Sequence, residues 1–139
     1  GSSVDDEQYE LAREVGELLG EHGHDIVCGG YGGVMEAVCR GGRDAGAHTI
    51  GILAGADRSE ANEFVETVVA TGMGNARNAL VALNGDAAIA IDGSTGTLSE
   101  IALALDRGIP VAGLQTYDVE GVATFEEPLA AVEYVDREL

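Results

Sequence analysis

The chain has 139 residues, of which 45% are apolar, and its 25 acidic and 7 basic side chains give a net charge of −18 at pH 7. This length suits one domain with one core, so we predict a single nucleotide-binding-type domain over residues 1–139. The composition excludes a disordered chain, no apolar run reaches the ~18–20 residues of a membrane span, and the acidic charge disfavours nucleic acid as a partner.

The predicted elements alternate between helix and strand, which is typical of βαβ units around a parallel sheet. Ser3 and Asp6 form a predicted capping box for the first helix, and Gly23 ends it. Apolar residues at helical spacing over 9–19, 76–83 and 98–105 mark three helices, and two more are predicted at 34–43 and from 127 onward. The predicted strands are 25–28, 48–53, 64–69, 87–91, 111–114 and 119–123. We therefore predict an α/β fold, a three-layer Rossmann-like parallel sheet flanked by helices.

The first predicted helix has no strand ahead of it, although folds of this kind begin with a strand near the centre of the sheet. Either Gly1-Ser2 is left over from a purification tag, or Gly1-Ser2-Ser3 ends a glycine-rich first turn whose strand is absent from the chain. We favour the second explanation, because a helix entered through Gly-Ser-Ser needs a strand to turn from.

The charge pattern predicts a cytoplasmic protein of a high-salt cytosol. No signal segment opens the chain, and acidic residues are spread from Asp5 to Glu138 rather than gathered in one interaction surface. All basic residues are Arg, with no Lys. At about 1 M salt the Debye length is ~3 Å, which would screen the repulsion within so acidic a domain.

The cysteines and histidines give no sign of a metal site. Cys28 and Cys39 are too few for a disulfide framework, and the three histidines are scattered along the sequence. We predict reduced, structural thiols and no metal.

Residues 92–100 (DGSTGTLSE) carry the strongest functional signal. A buried strand runs into a loop rich in glycine and hydroxyl groups, which opens a helix, so backbone N–H groups and the positive helix end point at one place. In open α/β sheets ligands bind at this edge. The predicted phosphate-binding residues are Gly93, Ser94, Thr95, Gly96 and Thr97. The alternative is a plain turn in which Thr97 and Glu100 form a capping box for their own helix.

Four collinear segments resemble motifs of the Lonely Guy (LOG) family and the wider SLOG superfamily, over about residues 5–115. The segments are GSTGTLSE at 93–100, GGYGGVM at 29–35, MGNARN at 73–78 and IPV at 109–111. They resemble the family's PGGxGTxxE, GGGxGLM, MxxRK and KPV, in that order. The resemblance implies a Rossmann-like domain, ligand contacts at Gly30 and Gly32, and at least a homodimer.

LOG proteins hydrolyse a nucleoside 5′-monophosphate to the free base and ribose 5-phosphate. The resemblance therefore implies an AMP-like bound nucleotide, with Arg77 as the catalytic arginine and Glu100 as the catalytic glutamate. N-glycosidic cleavage passes through an oxocarbenium-like state, which a carboxylate can stabilise while an arginine holds sugar or phosphate oxygens.

Three residues depart from the LOG motifs. Asp92 replaces a proline, Ser94 a glycine and Asn78 a lysine. These departures are closer to a sister branch, DprA-related in some descriptions, which includes molybdenum-cofactor carrier proteins. Two functions therefore stay open: a phosphoribohydrolase, and a non-catalytic carrier or sensor of a nucleotide or molybdopterin. Tyr31 is either a stacking platform for a base or pterin or an ordinary loop tyrosine.

Overall fold

Helices and strands alternate along the chain as predicted. The computed structural model describes residues 5–93 and 95–139, without the side chain of Thr95. The helices are α1 (Asp6–Glu21), α2 (Val34–Asp44), α3 (Arg77–Leu83), α4 (Thr95–Asp106) and α5 (Pro128–Glu138). The strands are β1 (Ile26–Cys28), β2 (Thr49–Leu53), β3 (Thr67–Ala70), β4 (Ala88–Ile91), β5 (Val111–Leu114) and β6 (Ala123–Phe125). One-turn 3₁₀ helices at Arg58–Glu60 and Gly74–Ala76 precede β3 and α3.

The strands form two parallel sheets of three strands each, in the orders β1-β2-β3 and β4-β5-β6. Helix α1 packs between α2 and α5 in one layer, whereas α3 and α4 pack against each other in another. The architecture is the predicted three-layer, Rossmann-like α/β fold. Because all strands are parallel, their carboxyl ends meet at one edge, where such folds bind ligands.

One hydrophobic core joins the β4-β5-β6 sheet to helices α1, α2 and α5. Its buried members include Val15 of α1, Val34 of α2, Ile91 of β4, Leu114 of β5 and Val132 of α5. Helix α1 therefore lies in a core that combines α2, the helix that follows β1, with strands β4 and β5. Close packing makes this core a rigid frame.

Helix α1 is capped by a later residue than the predicted Ser3. The carboxylate of Asp5 accepts a hydrogen bond from the Gln8 N–H at 2.8 Å, so Asp5 is the N-cap and Asp6 the first helical residue. The predicted capping box of Ser3 and Asp6 is therefore wrong as to the residue that caps α1, and Ser3 itself lies outside the described residues.

Two predicted strands are displaced along the chain. The segment predicted at 64–69 first makes a turn, in which the Asn62 side chain accepts from the Phe64 N–H at 2.9 Å, and β3 begins only at Thr67. The strand predicted at 119–123 is wrong for a similar reason, because the Val122 N–H donates to the Val119 carbonyl at 3.0 Å and closes a turn. Strand β6 follows that turn.

Among the residues that the structure describes, no helix is long and apolar enough to cross a membrane.

Salt is expected to stabilise this fold, because a net charge of −18 repels itself in dilute buffer. We expect the melting temperature to rise by at least ~5 °C between about 0.1 M and 2 M KCl, which corresponds to roughly 1 kcal/mol for a domain of this size. Sucrose at matched osmolality is the uncharged control. Equal melting temperatures at the two KCl concentrations would contradict the prediction.

A polar contact ties the end of α1 to α5. The ring nitrogens His22 Nδ1 and His24 Nε2 both contact the carboxylate of Asp136, which lies about a third exposed. The hydrogen bonds from His24 and then His22 lower the pKa of the Asp136 carboxyl below its ordinary value, against the opposing effect of partial burial. This contact therefore stabilises the fold only while Asp136 is ionised.

Asp136→Asn tests this contact through its pH dependence. Because the folded pKa is depressed, the stabilisation is complete above the ordinary Asp pKa and is lost as pH falls through the lowered value. We expect the variant to lose about 0.5–1 kcal/mol of unfolding free energy at pH ~6, a small value because the pair is exposed to solvent. Urea titrations at pH 6, 4 and 3 should show the difference shrinking, and a difference that is constant with pH would refute the assignment.

Candidate functional site

The carboxyl ends of β1 and β4 open into one cavity of about 970 Å³. Four of the predicted site residues line it: Arg77, Gly96, Thr97 and Glu100. Arg77 begins α3, whereas Gly96, Thr97 and Glu100 lie in the first two turns of α4. The predicted residues Gly30, Gly32 and Gly93 are not among the described residues that line this cavity. Ser94 and the side chain of Thr95 lie outside the part of the chain that the structure describes.

The Arg77 side chain lies against the end of β1. A Cβ atom placed on Gly29 would come within 2.1 Å of Arg77 Nη1, so this position needs glycine for the guanidinium to approach. On its other side, Arg77 Cζ is 5.6 Å from the centre of the Tyr31 ring, a cation–π contact. The Tyr31 hydroxyl is itself fixed, because it accepts a hydrogen bond from the Gly55 N–H at 3.0 Å. Tyr31 therefore positions Arg77.

One nitrogen of Arg77 is left without a partner. Nε is buried and has no hydrogen-bond acceptor among the described residues. A buried donor without an acceptor costs about 1–3 kcal/mol, more when it is charged, so native proteins rarely keep one without a reason. Arg77 is thus a cation held in place in a ligand-sized cavity, with a buried N–H donor that no described residue accepts.

The structure removes the capping alternative for Glu100. Helix α4 begins at Thr95, so Thr97 is already inside the helix and cannot be its N-cap. The predicted capping box of Thr97 and Glu100 is therefore wrong, and Glu100 lies in the second turn, facing the cavity. Burial raises the pKa of the Glu100 carboxyl, and the charge of Arg77 partly opposes that rise. Such a carboxyl can hold or release a proton closer to neutral pH than an exposed glutamate.

Asp92 forms the entrance to the predicted phosphate loop in an unusual backbone conformation. Its φ is 77°, in the left-handed region that residues other than glycine rarely adopt. The Asp92 carboxylate accepts from the Gly93 N–H at 2.6 Å. Partial burial disfavours the ionised form, but this hydrogen bond contributes to a pKa for Asp92 below the ordinary value. Asp92 is therefore an ionised carboxylate at the edge of the site.

Gly93 is engaged on both sides of its backbone. Its N–H donates to Asp92, and its carbonyl accepts from the Tyr117 hydroxyl at 2.5 Å. The N–H groups in the first turn of a helix have no partner within that helix, and in α4 this turn includes Gly96. The amide edge offered to an anion therefore lies further along the loop than Gly93.

The glycines of the turn between β1 and α2 make different contacts. Gly30 has φ 83°, and a Cβ there would lie 2.7 Å from Leu53 Cδ2, so glycine is required for packing on β2. Its carbonyl accepts from the Asn62 N–H at 2.9 Å. Gly32 is half-buried in the turn that leads to α2. The glycine that approaches the site is Gly29, which nothing in the sequence distinguishes from the other glycines of its run.

Sequence reasoning did not place three further features at the site. Asn78, which stands where the LOG motif has lysine, is 8% exposed and lines the cavity. Tyr117 closes over Gly93, and nothing in the sequence distinguished it from any other tyrosine after a strand. The thiols of Cys28 and Cys39 lie 3.5 Å apart, and both are free.

The two thiols differ in acidity because each affects the other. Their hydrogen bond lowers the pKa of Cys28, against the effect of its burial, and raises that of Cys39, to which burial adds. Cys28 lines the cavity, so the more acidic thiol faces it. No group of three or more His, Cys, Asp or Glu residues in ranges 5–93 and 95–139 could hold a metal ion.

Two solved structures are similar to this fold over nearly its whole length. The molybdenum cofactor binding protein from the phototrophic bacterium Rippkaea orientalis has a TM-score of 0.92 at 31% identity, over 99% of this chain and 91% of that one. The molybdenum cofactor carrier protein of Chlamydomonas reinhardtii has a TM-score of 0.86 at 32% identity, over 96% of this chain and 89% of that one.

The sequence comparisons agree with the structural ones. An uncharacterized protein of Archaeoglobus fulgidus is 43% identical over 131 residues, which are 94% of this chain and 86% of that protein. The model of the SLOG cluster4 family matches residues 1–138. This chain therefore belongs to the SLOG cluster4 family.

Proposed function

We propose that this protein is a carrier that holds a phosphate-bearing pterin, of the molybdenum-cofactor type, at the carboxyl ends of β1 and β4 without breaking a bond in it. The observation that carries the proposal is the Arg77 guanidinium, held between Gly29 and Tyr31 with a buried Nε that lacks an acceptor. The similarity to a molybdenum cofactor binding protein and a molybdenum cofactor carrier protein supports the choice of ligand.

The phosphate of such a ligand suits Arg77 and the first turn of α4. An arginine offers a planar fork of N–H donors that matches phosphate oxygens two at a time. The amino end of α4, a helix of 12 residues, adds backbone N–H groups and a partial positive charge. Within a strongly acidic protein, these are the groups of the cavity that favour an anion.

An ionised carboxylate at the edge of the site would suit a pterin better than adenine. The amino-pyrimidinone edge of a pterin presents two adjacent N–H donors, which one carboxylate can accept together. Asp92 is ionised and hydrogen-bonded in place, whereas adenine would turn a ring-nitrogen acceptor toward it. A pterin ligand would account for aspartate at the position of the LOG proline. The metal-bearing pterin would be cargo, which this chain binds without reacting with it.

Glu100 supports a second function, hydrolysis of a nucleoside 5′-monophosphate. Its carboxyl shares the cavity with Arg77, its pKa is raised by burial, and it does not cap its own helix. A carboxyl of this kind can act as a general acid or base at an N-glycosidic bond. A hydrolase would release adenine from AMP, whereas a carrier would not.

One titration and one activity assay separate the two functions. Molybdenum cofactor released from a molybdoenzyme under argon, and AMP as comparator, are titrated into the protein in about 2 M KCl. We expect the cofactor to bind at least ~10-fold more tightly than AMP, which is a difference of about 1.4 kcal/mol. We also expect inorganic phosphate to compete with it and no adenine to appear from AMP. Adenine release would replace the carrier by the hydrolase, whereas tighter binding of AMP without adenine release would make the cargo a nucleotide rather than a pterin.

A further inference from the structure

Two cysteine thiols that take no part in the proposed binding of the ligand lie in contact beside the cavity. Cys28 ends β1, Cys39 lies in α2, and their Sγ atoms are 3.5 Å apart without a disulfide between them. A disulfide has an S–S distance of about 2.05 Å, so an approach of roughly 1.5 Å would join the two sulfurs. Cys28 leads into the glycine-rich turn at 29–33, where the backbone adjusts more readily than inside a strand or a helix.

The two thiols differ in their access to small molecules. Cys28 is only partly buried and lines the cavity. Cys39 has an exposure of 0% and is not among the described residues that line the cavity. A molecule in the cavity therefore reaches the Sγ atom of Cys28 directly, and it reaches Cys39 only by way of Cys28.

The surroundings of the Cys28 sulfur favour its thiolate form. The hydrogen bond from Cys39 has the largest effect in lowering the pKa of the Cys28 thiol, and the backbone of Gly30 and the charge of Arg77 lower it further. Burial and the charge of Glu100 oppose this shift. Because the thiolate is the form that attacks a disulfide, the accessible thiol is also the one whose contacts favour reaction.

Cys39 is held inactive by the same contact. Its pKa is raised first by the hydrogen bond with Cys28 and then by burial, whereas the side chain of Asn62 lowers it. Once Cys28 is part of a mixed disulfide it carries no negative charge, so the largest cause of the raised pKa is gone. Cys39 therefore becomes a better nucleophile only after Cys28 has reacted.

We propose that Cys28 and Cys39 form a reversible redox site, which reacts with a small-molecule disulfide in the cavity and closes to an intramolecular disulfide. In the first step, the Cys28 thiolate attacks one sulfur of the small disulfide, forms a mixed disulfide and releases one small thiolate. In the second step, Cys39 loses its proton, attacks Cys28 Sγ and displaces the second small thiolate.

The two steps balance in electrons and protons. The two protein thiols are oxidised by two electrons in all, and the small disulfide is reduced to two small thiols. The protons of Cys28 and Cys39 pass to these two products. The inference does not depend on the identity of the phosphate-bearing ligand.

Reaction with hydroxyethyl disulfide tests the site. The reagent is uncharged, because a net charge of −18 would repel an anionic disulfide. The reduced protein is incubated with an excess of about 10-fold in about 2 M KCl, quenched in acid and weighed by mass spectrometry. We expect the folded wild type to become lighter by two hydrogen atoms. Trypsin cleaves after Arg13 and Arg40, so the peptide 14–40, which holds both cysteines, should carry this change, and dithiothreitol should reverse it.

Cys39→Ser and Cys28→Ser are a matched pair of variants. Cys39→Ser should stop after the first step and accumulate one mercaptoethanol adduct on Cys28. Cys28→Ser keeps a thiol only at the fully buried position, so it should react at least ~100-fold more slowly than Cys39→Ser, because it must wait for the fold to open. In urea the two variants should react at similar rates, which is the control for the reagent.

A folded wild type that keeps both thiols free, although the same protein reacts in urea, would overturn the proposal. So would a wild type that stops at a mixed disulfide or links two chains, because the second step would then be absent. Equal rates for Cys28→Ser and Cys39→Ser, with both folded by circular dichroism, would contradict the assigned order of attack. The wild-type measurement needs no substitution and decides the proposal even if a variant fails to fold.

Discussion

Arg77→Met is expected to weaken binding of the molybdenum cofactor by about 10- to 100-fold, the scale of one or two lost charge-assisted hydrogen bonds. Met keeps the apolar stem against Tyr31 and removes the guanidinium that lies beside Gly29. Because the substitution also removes a buried Nε without an acceptor, the variant should melt no lower than the wild type. Loss of affinity without loss of stability is the expected signature of a ligand-binding residue.

Arg43→Met is the matched control for charge. Arg43 is exposed, away from the cavity, and its Nε lies 3.3 Å from the Glu66 carboxylate. Its replacement changes the net charge by the same amount and should leave cofactor affinity within ~2-fold, as expected for an exposed ion pair. Arg77→Lys, which keeps the charge but not the planar fork, should fall between Arg77→Met and the wild type. If Arg77→Met binds like the wild type, the phosphate does not sit at Arg77.

The order of elements could be read from the sequence because it depends on local signals. Apolar periodicity and glycine or proline at the boundaries place all five helices, and five of the six strands overlap their predicted ranges by most of their length. The exception, β6, shares only Ala123 with its predicted range, since a turn closed between Val119 and Val122 delays it. A backbone turn of this kind leaves little trace in an apolar pattern.

The sequence places the predicted site at the carboxyl edge of the sheet, and that site stays a prediction; the contacts among its residues could not be read from the sequence. Residues 94–97 offer several hydroxyl groups as helix caps, so the sequence could not show that α4 begins at Thr95 rather than beyond Thr97. The run of glycines at 29–33 likewise could not show that Gly29 faces Arg77 while Gly30 packs on β2. Those choices depend on residues far away in the chain. The homodimer implied by the family resemblance stays a prediction.

Glu100→Gln is expected to distinguish a carrier from a hydrolase. Gln keeps the size and hydrogen-bonding shape of the side chain but cannot exchange a proton at this position. Since α4 begins at Thr95, the substitution does not disturb a helix cap, and any change in function reports on the site itself. Glu133→Gln, on the exposed side of α5, is the control for an equal change in net charge.

Stability gives the first readout, and its sign follows from the raised pKa of Glu100. Folding raises the pKa of the Glu100 carboxyl. Above the pKa that this carboxyl has in the unfolded chain, the folded state therefore becomes less stable as pH rises. Glu100→Gln removes this penalty, so the variant should melt higher than the wild type at pH 7 and equal to it near pH 4. Glu133→Gln measures how much of any difference comes from the change in net charge alone. A variant that melts lower at pH 7 would mean that the Glu100 carboxylate makes a stabilising contact.

Adenine release from AMP in molar salt gives the second readout. A hydrolase would lose at least ~100-fold of its rate in Glu100→Gln, the usual contribution of a positioned acid or base. For a carrier, neither the wild type nor the variant releases adenine, and only the affinity for the cofactor changes. That change should be less than ~10-fold if Glu100 accepts one hydrogen bond from the ligand. The raised pKa of Glu100 and its position beside Arg77 are compatible with either role. Adenine release by the wild type therefore decides between hydrolase and carrier. The rate of Glu100→Gln then shows whether Glu100 is the catalytic acid or base.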